Sequence, residues 1–117
     1  MIALTEDKRM LGYGVMTPYS NIFCFATTRR GGFSKGDYAS FNCTPYTGDD
    51  AESVRRNQEL LCNSMPQHPK ELVIPFQTHG TKVEVIDEKY LNATSDERTA
   101  MLQGVDALIT KEPGCCI

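Results

Sequence analysis

The stretch LVIPFQTHGTKVEVI, residues 72–86, sets the reading of the whole chain. Leu72–Phe76 and Lys82–Ile86 are rich in β-branched and aromatic side chains, the composition that fits a pleated, half-buried surface. Between them lie Gln77, Thr78, His79, Gly80 and Thr81, a polar break that places His79 at a strand end. In the second run Val83 and Val85 face one way while Lys82, Glu84 and Ile86 face the other, the alternation of a strand with one side buried. Gln77 and His79 are two apart, so on an extended backbone they point to the same face.

Working upstream, Asp49 stands three residues before Glu52, the spacing of a reciprocal helix cap with Asp in place of Ser or Thr. A helix over about residues 50–63 would put Ala51, Val54, Gln58 and Leu61 on one face and leave Arg55, Arg56 and Glu59 wet. Pro66 and Pro69 prevent its continuation. Residues 28–48 carry Gly31, Gly32, Gly36, Pro45 and Gly48 and read as a long loop, which Phe33, Tyr38, Phe41 and Tyr46 can anchor. Leu11–Met16 and Ile22–Thr27 are β-type runs that form a hairpin or otherwise paired strands around residues 17–21. Cys24 alternates there with Phe23 and Phe25 as a buried, inert thiol.

Downstream, residues 87–103 are polar with room for a short helix, and Val105–Thr110 resumes as a strand before a turn over residues 111–114. The result is an α+β fold, a mixed sheet with one main helix packed on it, in which strand order stays open. Cys115, Cys116 and Ile117 begin another apolar segment too short for an ordinary strand, so the chain reads as interrupted, the amino-terminal part of a single domain. Its 117 residues suit one modest core.

A formal charge of −3 gives no electrostatic reason to expect nucleic acid or an anionic membrane as partner. No run is long enough to span a bilayer and no secretion signal opens the chain, which makes the cytoplasm the expected compartment. Five cysteines without regular spacing or a Cys-x-x-Cys pair read as reduced thiols.

Several segments, taken in order, resemble the laccase-domain, polyphenol-oxidase-type family of purine nucleoside phosphorylases. They are Thr27-Thr28-Arg29-Arg30-Gly31-Gly32-Phe33-Ser34 with Ala39-Ser40-Phe41-Asn42; Gly48-Asp49-Asp50 with Asn57; Gln77-Thr78-His79-Gly80-Thr81; and Val105-Asp106-Ala107-Leu108-Ile109-Thr110 with Pro113-Gly114. No piece is specific alone; the specificity lies in their order and spacing. The resemblance implies a zinc-type site of two histidines and one cysteine, with copper as the alternative metal. His79 matches the first histidine, and the segments holding the other two ligands are not in this sequence. Cys115 and Cys116 precede the place of the family's cysteine and do not inherit its role.

Two imidazoles and a thiolate leave zinc an open position, the pattern of a catalytic site. The implied reaction is phosphorolysis of adenosine, inosine and related nucleosides, with deamination of adenosine in the same pocket through metal-activated water. Phosphate needs cationic and amide donors. Arg29 and Arg30 precede two glycines whose N–H groups can approach an anion. The resemblance favours Arg29, with Ser34 and Asn42 as further donors to phosphate or ribose, and Gln77 binding substrate beside the metal on His79.

The same residues have plainer readings: His79 as a surface residue, the glycine-rich loop as a solvated turn, Asn42 as a local turn closer, and His68 as a loop residue. The chain alone is expected to be inactive. Alternatives to the nucleoside reading are a non-catalytic ligand-binding module, self-association through an exposed sheet edge, cysteine-hydrolase chemistry, and a copper-dependent polyphenol oxidase.

Overall fold

The computed structural model describes all residues, Met1–Ile117. It is α+β, as the sequence predicts, and divides into two compact units, residues 1–66 and 67–117. The strands form three small sheets rather than one, antiparallel in the first unit and parallel in the second.

In the first unit β1 (Ile2–Ala3), β2 (Met10–Gly12) and β3 (Phe25–Thr27) form an antiparallel sheet in the order β1-β2-β3. The pairing of β2 with β3 realises the expected partnership, although both strands are shorter than their apolar runs. Gly14–Met16 winds into a 3₁₀ turn instead of extending β2. Cys24 precedes β3 and is half-buried, so the fully buried strand cysteine is not observed. β1 has no counterpart in the sequence reading.

Helix α1 (Ala51–Asn63) occupies the predicted span, with its cap one residue further on: Asp50 accepts from Ser53 N at 3.0 Å. Asp49 instead accepts from the Ser34 hydroxyl. The helix buries Val54, Asn57, Leu61 and Cys62, whereas Ala51 is exposed. Arg55 lies outward as expected, paired with Glu52 and Glu59. The hydrogen bonds of Asn57 and Gln58 tie α1 to the long loop. Met10, Phe41, Val54, Leu61 and Cys62 are the buried apolar residues of this unit.

In the second unit β5 (Lys82–Ile86) and β6 (Val105–Thr110) pair in parallel over the predicted residues. The expected strand over 72–76 is broken. β4 (Glu71–Leu72) pairs in parallel with β7 (Cys115–Cys116), and Phe76 makes only an isolated bridge to Gln103. Pro75 between them has no N–H for a ladder. The polar connection holds two helices, α2 (Glu88–Leu91) and α3 (Ser95–Leu102), the second opened by a capping box between Thr94 and Glu97.

The core here is Val73, Ile86, Tyr90 and Leu102, with Val105 fully buried. The Arg98 guanidinium ties the unit together, donating to Tyr90 O and Leu91 O at the end of α2 and pairing with Glu71 on β4. The alternation in β5 is present, but the closed side is that of Ile86; Val83 and Val85 are half exposed, as is Ile109 on β6. No helix is long and apolar enough to cross a membrane.

Candidate functional site

The glycine-rich loop is built by close backbone approach. Arg29 O accepts from Ser40 N and Phe41 N at 2.7 and 3.0 Å, closing the loop on itself. Gly32 lies so near the opposite limb that a Cβ would fall 2.5 Å from Phe41 Cα, which only glycine permits. Gly31 adopts φ +78° against the Asp7 carboxylate. That carboxylate also pairs with Arg9 at 2.6 Å, and the Arg9 hydrogen bond holds the Asp7 pKa down at about 2.

Asn57 is the hub. Its side chain is fully buried, accepts from Phe33 N at 2.7 Å, and donates to Asn42 O at 2.7 Å, Ser34 Oγ at 2.9 Å and Ser40 O at 3.3 Å. Ser34, only 4% exposed, donates its hydroxyl to Asp49 at 2.5 Å. Asn42 donates to Thr47 Oγ1 and Asp49 and accepts from Thr44 N, the local turn closure that was the plainer reading of this residue. The Ser34 hydroxyl and the Asn42 amide are thus committed inside the loop rather than held out to a ligand. Hydrogen bonds from Ser34 first, then Asn42, keep the Asp49 carboxyl below the usual range.

Arg29 is arranged differently. It is exposed, its Nε donates to Ala39 O at 2.9 Å, and its two terminal nitrogens have no protein partner. The bond to Ala39 fixes the plane of the guanidinium while leaving its outer edge available to an oxyanion. Arg30, also exposed, leaves its side chain unpaired. Phe33 stacks beneath the Arg56 guanidinium at 3.8 Å, which anchors the loop on α1.

In the second unit Gln77, Thr78, His79 and Gly80 are all exposed. The premise of an extended backbone here fails: His79 sits at φ +60°, left-handed. Strand alternation therefore does not align Gln77 with His79. The Gln77 amide donates to Asp106 O at 3.3 Å. The His79 imidazole forms no hydrogen bond or ion pair; its backbone N–H donates to Asp106 Oδ1 at 2.9 Å, and Gly80 N donates to Asp106 Oδ2 at 2.8 Å. These amides, Gly80 foremost, pull the Asp106 pKa below its ordinary value.

No group of three His, Cys, Asp or Glu side chains is gathered to hold a metal ion. His79 is a single potential donor, and the residues of this chain do not fit a zinc or copper centre by themselves. All five cysteines are free. Burial drives the Cys43 thiol up to about 12, the opposite of a reactive thiolate. Two shallow surface hollows run along α1, one beside Pro45, Asp49 and Gln58, the other beside Phe33, Arg56 and Asn63; neither is lined by Arg29.

Two residues central to this geometry, Asn57 and Asp106, were given no role by sequence reasoning. The available signals were a short amide between Val54 and Leu61 of an amphipathic helix and a lone carboxylate in the apolar run Val105–Ile109. A polar side chain in such a place has buried partners to satisfy.

Residues 23–117 match the family described as multi-copper polyphenol oxidoreductase laccase. A purine nucleoside phosphorylase of Bacteroides thetaiotaomicron is 62% identical over 117 residues, all of this chain and 43% of that relative. A protein named adenosine deaminase, from an unknown prokaryotic organism, is 39% identical over 93 residues, 80% of this chain and 36% of its own length. A purine nucleoside phosphorylase of Corynebacterium glutamicum is 36% identical over 91 residues, 78% of this chain and 35% of its own length. The chain thus spans less than half the length of these curated relatives.

Proposed function

The chain belongs to the multi-copper polyphenol oxidoreductase laccase family, and on that premise we propose that it is the amino-terminal part of a purine nucleoside phosphorylase domain. The names of its relatives support this reading. In phosphorolysis an oxygen of inorganic phosphate bonds the anomeric carbon of adenosine or inosine as the carbon–nitrogen bond to the base breaks. The products are the purine and ribose 1-phosphate. The observation that carries the proposal is Arg29, whose guanidinium is oriented by Ala39 O and presents two unpaired nitrogens beside a glycine turn. We assign it to phosphate. Ser34 and Asn42 serve that role from behind, by holding the loop. Gln77 and His79 are assigned to substrate and to metal ligation.

A zinc centre, or a copper one, needs donors beyond His79, so no chemical step is assigned to a metal within this chain. The complete reaction belongs to a polypeptide of the relatives' full length. Deamination of adenosine is a second activity for the same domain, supported by the relative named for it. Phenol oxidation rests on the family description alone. Five free thiols favour a reducing compartment, and we assign the protein to the cytoplasm.

Incubated with inosine or adenosine, phosphate and zinc, the 117-residue chain should release no base above blank, while a chain of the relatives' length should. Release by the shorter chain overturns the division of labour. In the longer chain Arg29→Ala should raise KM for phosphate by about 10- to 100-fold, the loss of one or two charge-assisted hydrogen bonds. An unchanged KM for phosphate removes Arg29 from the site.

A second reading, self-association, is favoured by the half-exposed Val83, Val85 and Ile109 on a two-stranded sheet whose strands are both edges. A single monomer mass by light scattering at high concentration refutes it.

A further inference from the structure

The turn that presents His79 is held by a carboxylate from another strand. Asp106, the second residue of β6, accepts from His79 N at 2.9 Å on one oxygen and from Gly80 N at 2.8 Å on the other, with a longer contact of 3.4 Å from Thr78 N. Its own carbonyl accepts from the Gln77 amide. One residue therefore engages four consecutive positions, 77 to 80, across a gap of more than 25 residues in sequence.

What this anchoring maintains is unusual. His79 is one of two non-glycine residues at positive φ in the chain, although Gly80, next to it, could take such a conformation freely. Histidine enters this region more readily than most side chains, but a non-glycine residue is still uncommon there and is kept in it by its surroundings. Here the surroundings are the Asp106 oxygens, because the imidazole itself touches no hydrogen-bonding partner and the residue is exposed. The backbone is pinned and the ring is left free, the arrangement of a side chain being presented rather than packed. Gly104, two residues before Asp106, is itself at φ +69°, where a Cβ would stand 3.6 Å from Thr78 Oγ1. The bend that delivers Asp106 thus passes close to the turn it secures.

We propose that Asp106 is the positioning residue of His79: by gripping the His79 and Gly80 amides it fixes the left-handed backbone and with it the direction in which the imidazole leaves the sheet. This rests on the reading of His79 as a functional imidazole, but its geometric content can be tested without any activity. Asp106 itself touches no substrate in this scheme and acts only through the turn.

The test uses the ¹³C,¹⁵N-labelled 117-residue chain and its Asp106→Ala and Asp106→Asn variants. Amide exchange is read at His79 and Gly80, with Val85 and Leu108 of the β5–β6 ladder as internal reference, and ring order is read from relaxation of the imidazole C–H. In Asp106→Ala, exchange at both turn amides should accelerate at least tenfold over the reference amides, and the ring should become more mobile. Asp106→Asn keeps one acceptor oxygen and should protect one of the two amides while releasing the other; it carries the test if the alanine variant fails to fold. Unchanged exchange at His79 and Gly80 in either folded variant overturns the proposal. So does accelerated exchange with unchanged ring order, since Asp106 would then be scaffold without influence on the imidazole. Base release by His79→Ala in the full-length chain separates the two ideas: activity retained there removes the function of His79 and leaves the exchange result standing.

Discussion

Replacing Asn57 by alanine removes the one side chain that joins both limbs of the glycine-rich loop to α1. Four hydrogen bonds go, but their losses are unequal. Ser40 O keeps the Ser34 amide at 2.9 Å, and Ser34 Oγ keeps Asp49. Phe33 N and Asn42 O, each bonded to Asn57 at 2.7 Å, are left without that partner. A buried group so orphaned costs about 1–3 kcal/mol, and these two, only part-buried, stand at the lower end of that range. Two of them, together with the space vacated at a fully buried position, give about 3–4 kcal/mol. That is a large part of the ~5–15 kcal/mol that holds a typical domain together.

Urea denaturation of the whole chain followed by far-ultraviolet circular dichroism measures the loss. Hydrogen exchange at Ser34 N and Phe41 N, which bridge the two limbs, shows whether the loop opens with it. Asn57→Asp preserves volume and the acceptor for Phe33 N, yet turns an oxygen toward Asn42 O and Ser40 O; it should cost at least as much as alanine. A loss below about 1 kcal/mol for alanine refutes the assignment of Asn57 as hub.

Two further perturbations probe the same unit. Gly32→Ala forces a methyl onto the Ser40 and Phe41 backbone and should cost about 3 kcal/mol or more, whereas Gly36→Ala meets nothing within 4 Å and should cost only about 1 kcal/mol for its left-handed φ. Equal thermal midpoints for the two variants would contradict the close approach. The Asp7 pKa is held down at about 2 from 3.8, so its contribution to stability is complete above about pH 4 and is lost as pH falls through 2. Denaturation midpoints measured between those values should fall less steeply in Asp7→Asn than in the wild type; parallel curves would mean that the Arg9 pair does not stabilise the fold.

The elements with strong period or punctuation were legible in sequence: α1 and both strands of the parallel pair appear where the pattern puts them. What the pattern could not supply was the choice between equivalent local solutions. Asp49 and Asp50 are adjacent carboxylates, and which one caps α1 is decided by Ser34, fifteen residues upstream, which claims Asp49. The run 72–76 has strand composition, but Pro75 denies it a continuous ladder. Which face of β5 is closed depends on where Tyr90 and Leu102 fall, and those belong to helices that the polar stretch 87–103 barely announces. For the candidate site, Arg29, Gln77 and His79 are the residues that the motifs single out. For Asn42 the sequence offered both a ligand donor and a local turn closer, and for Ser34 only the donor; the choice was not legible, because a hydroxyl or an amide reads the same in sequence whether it holds a ligand or its own backbone.

The glycine-rich loop is drawn shut at its neck, where Arg29 O receives two amides from the opposite limb, while at Gly36 a side chain would meet nothing within 4 Å. The neck is therefore closed, Tyr38 is tied to Gly48 by its hydroxyl, and the open point lies just before that turn. A fluorophore, an affinity tag or an inserted peptide between Lys35 and Gly36, both exposed, would hang from the closed neck without entering it, giving a handle on the same loop as Arg29 through which ligand capture could be followed on a chain otherwise left as it is.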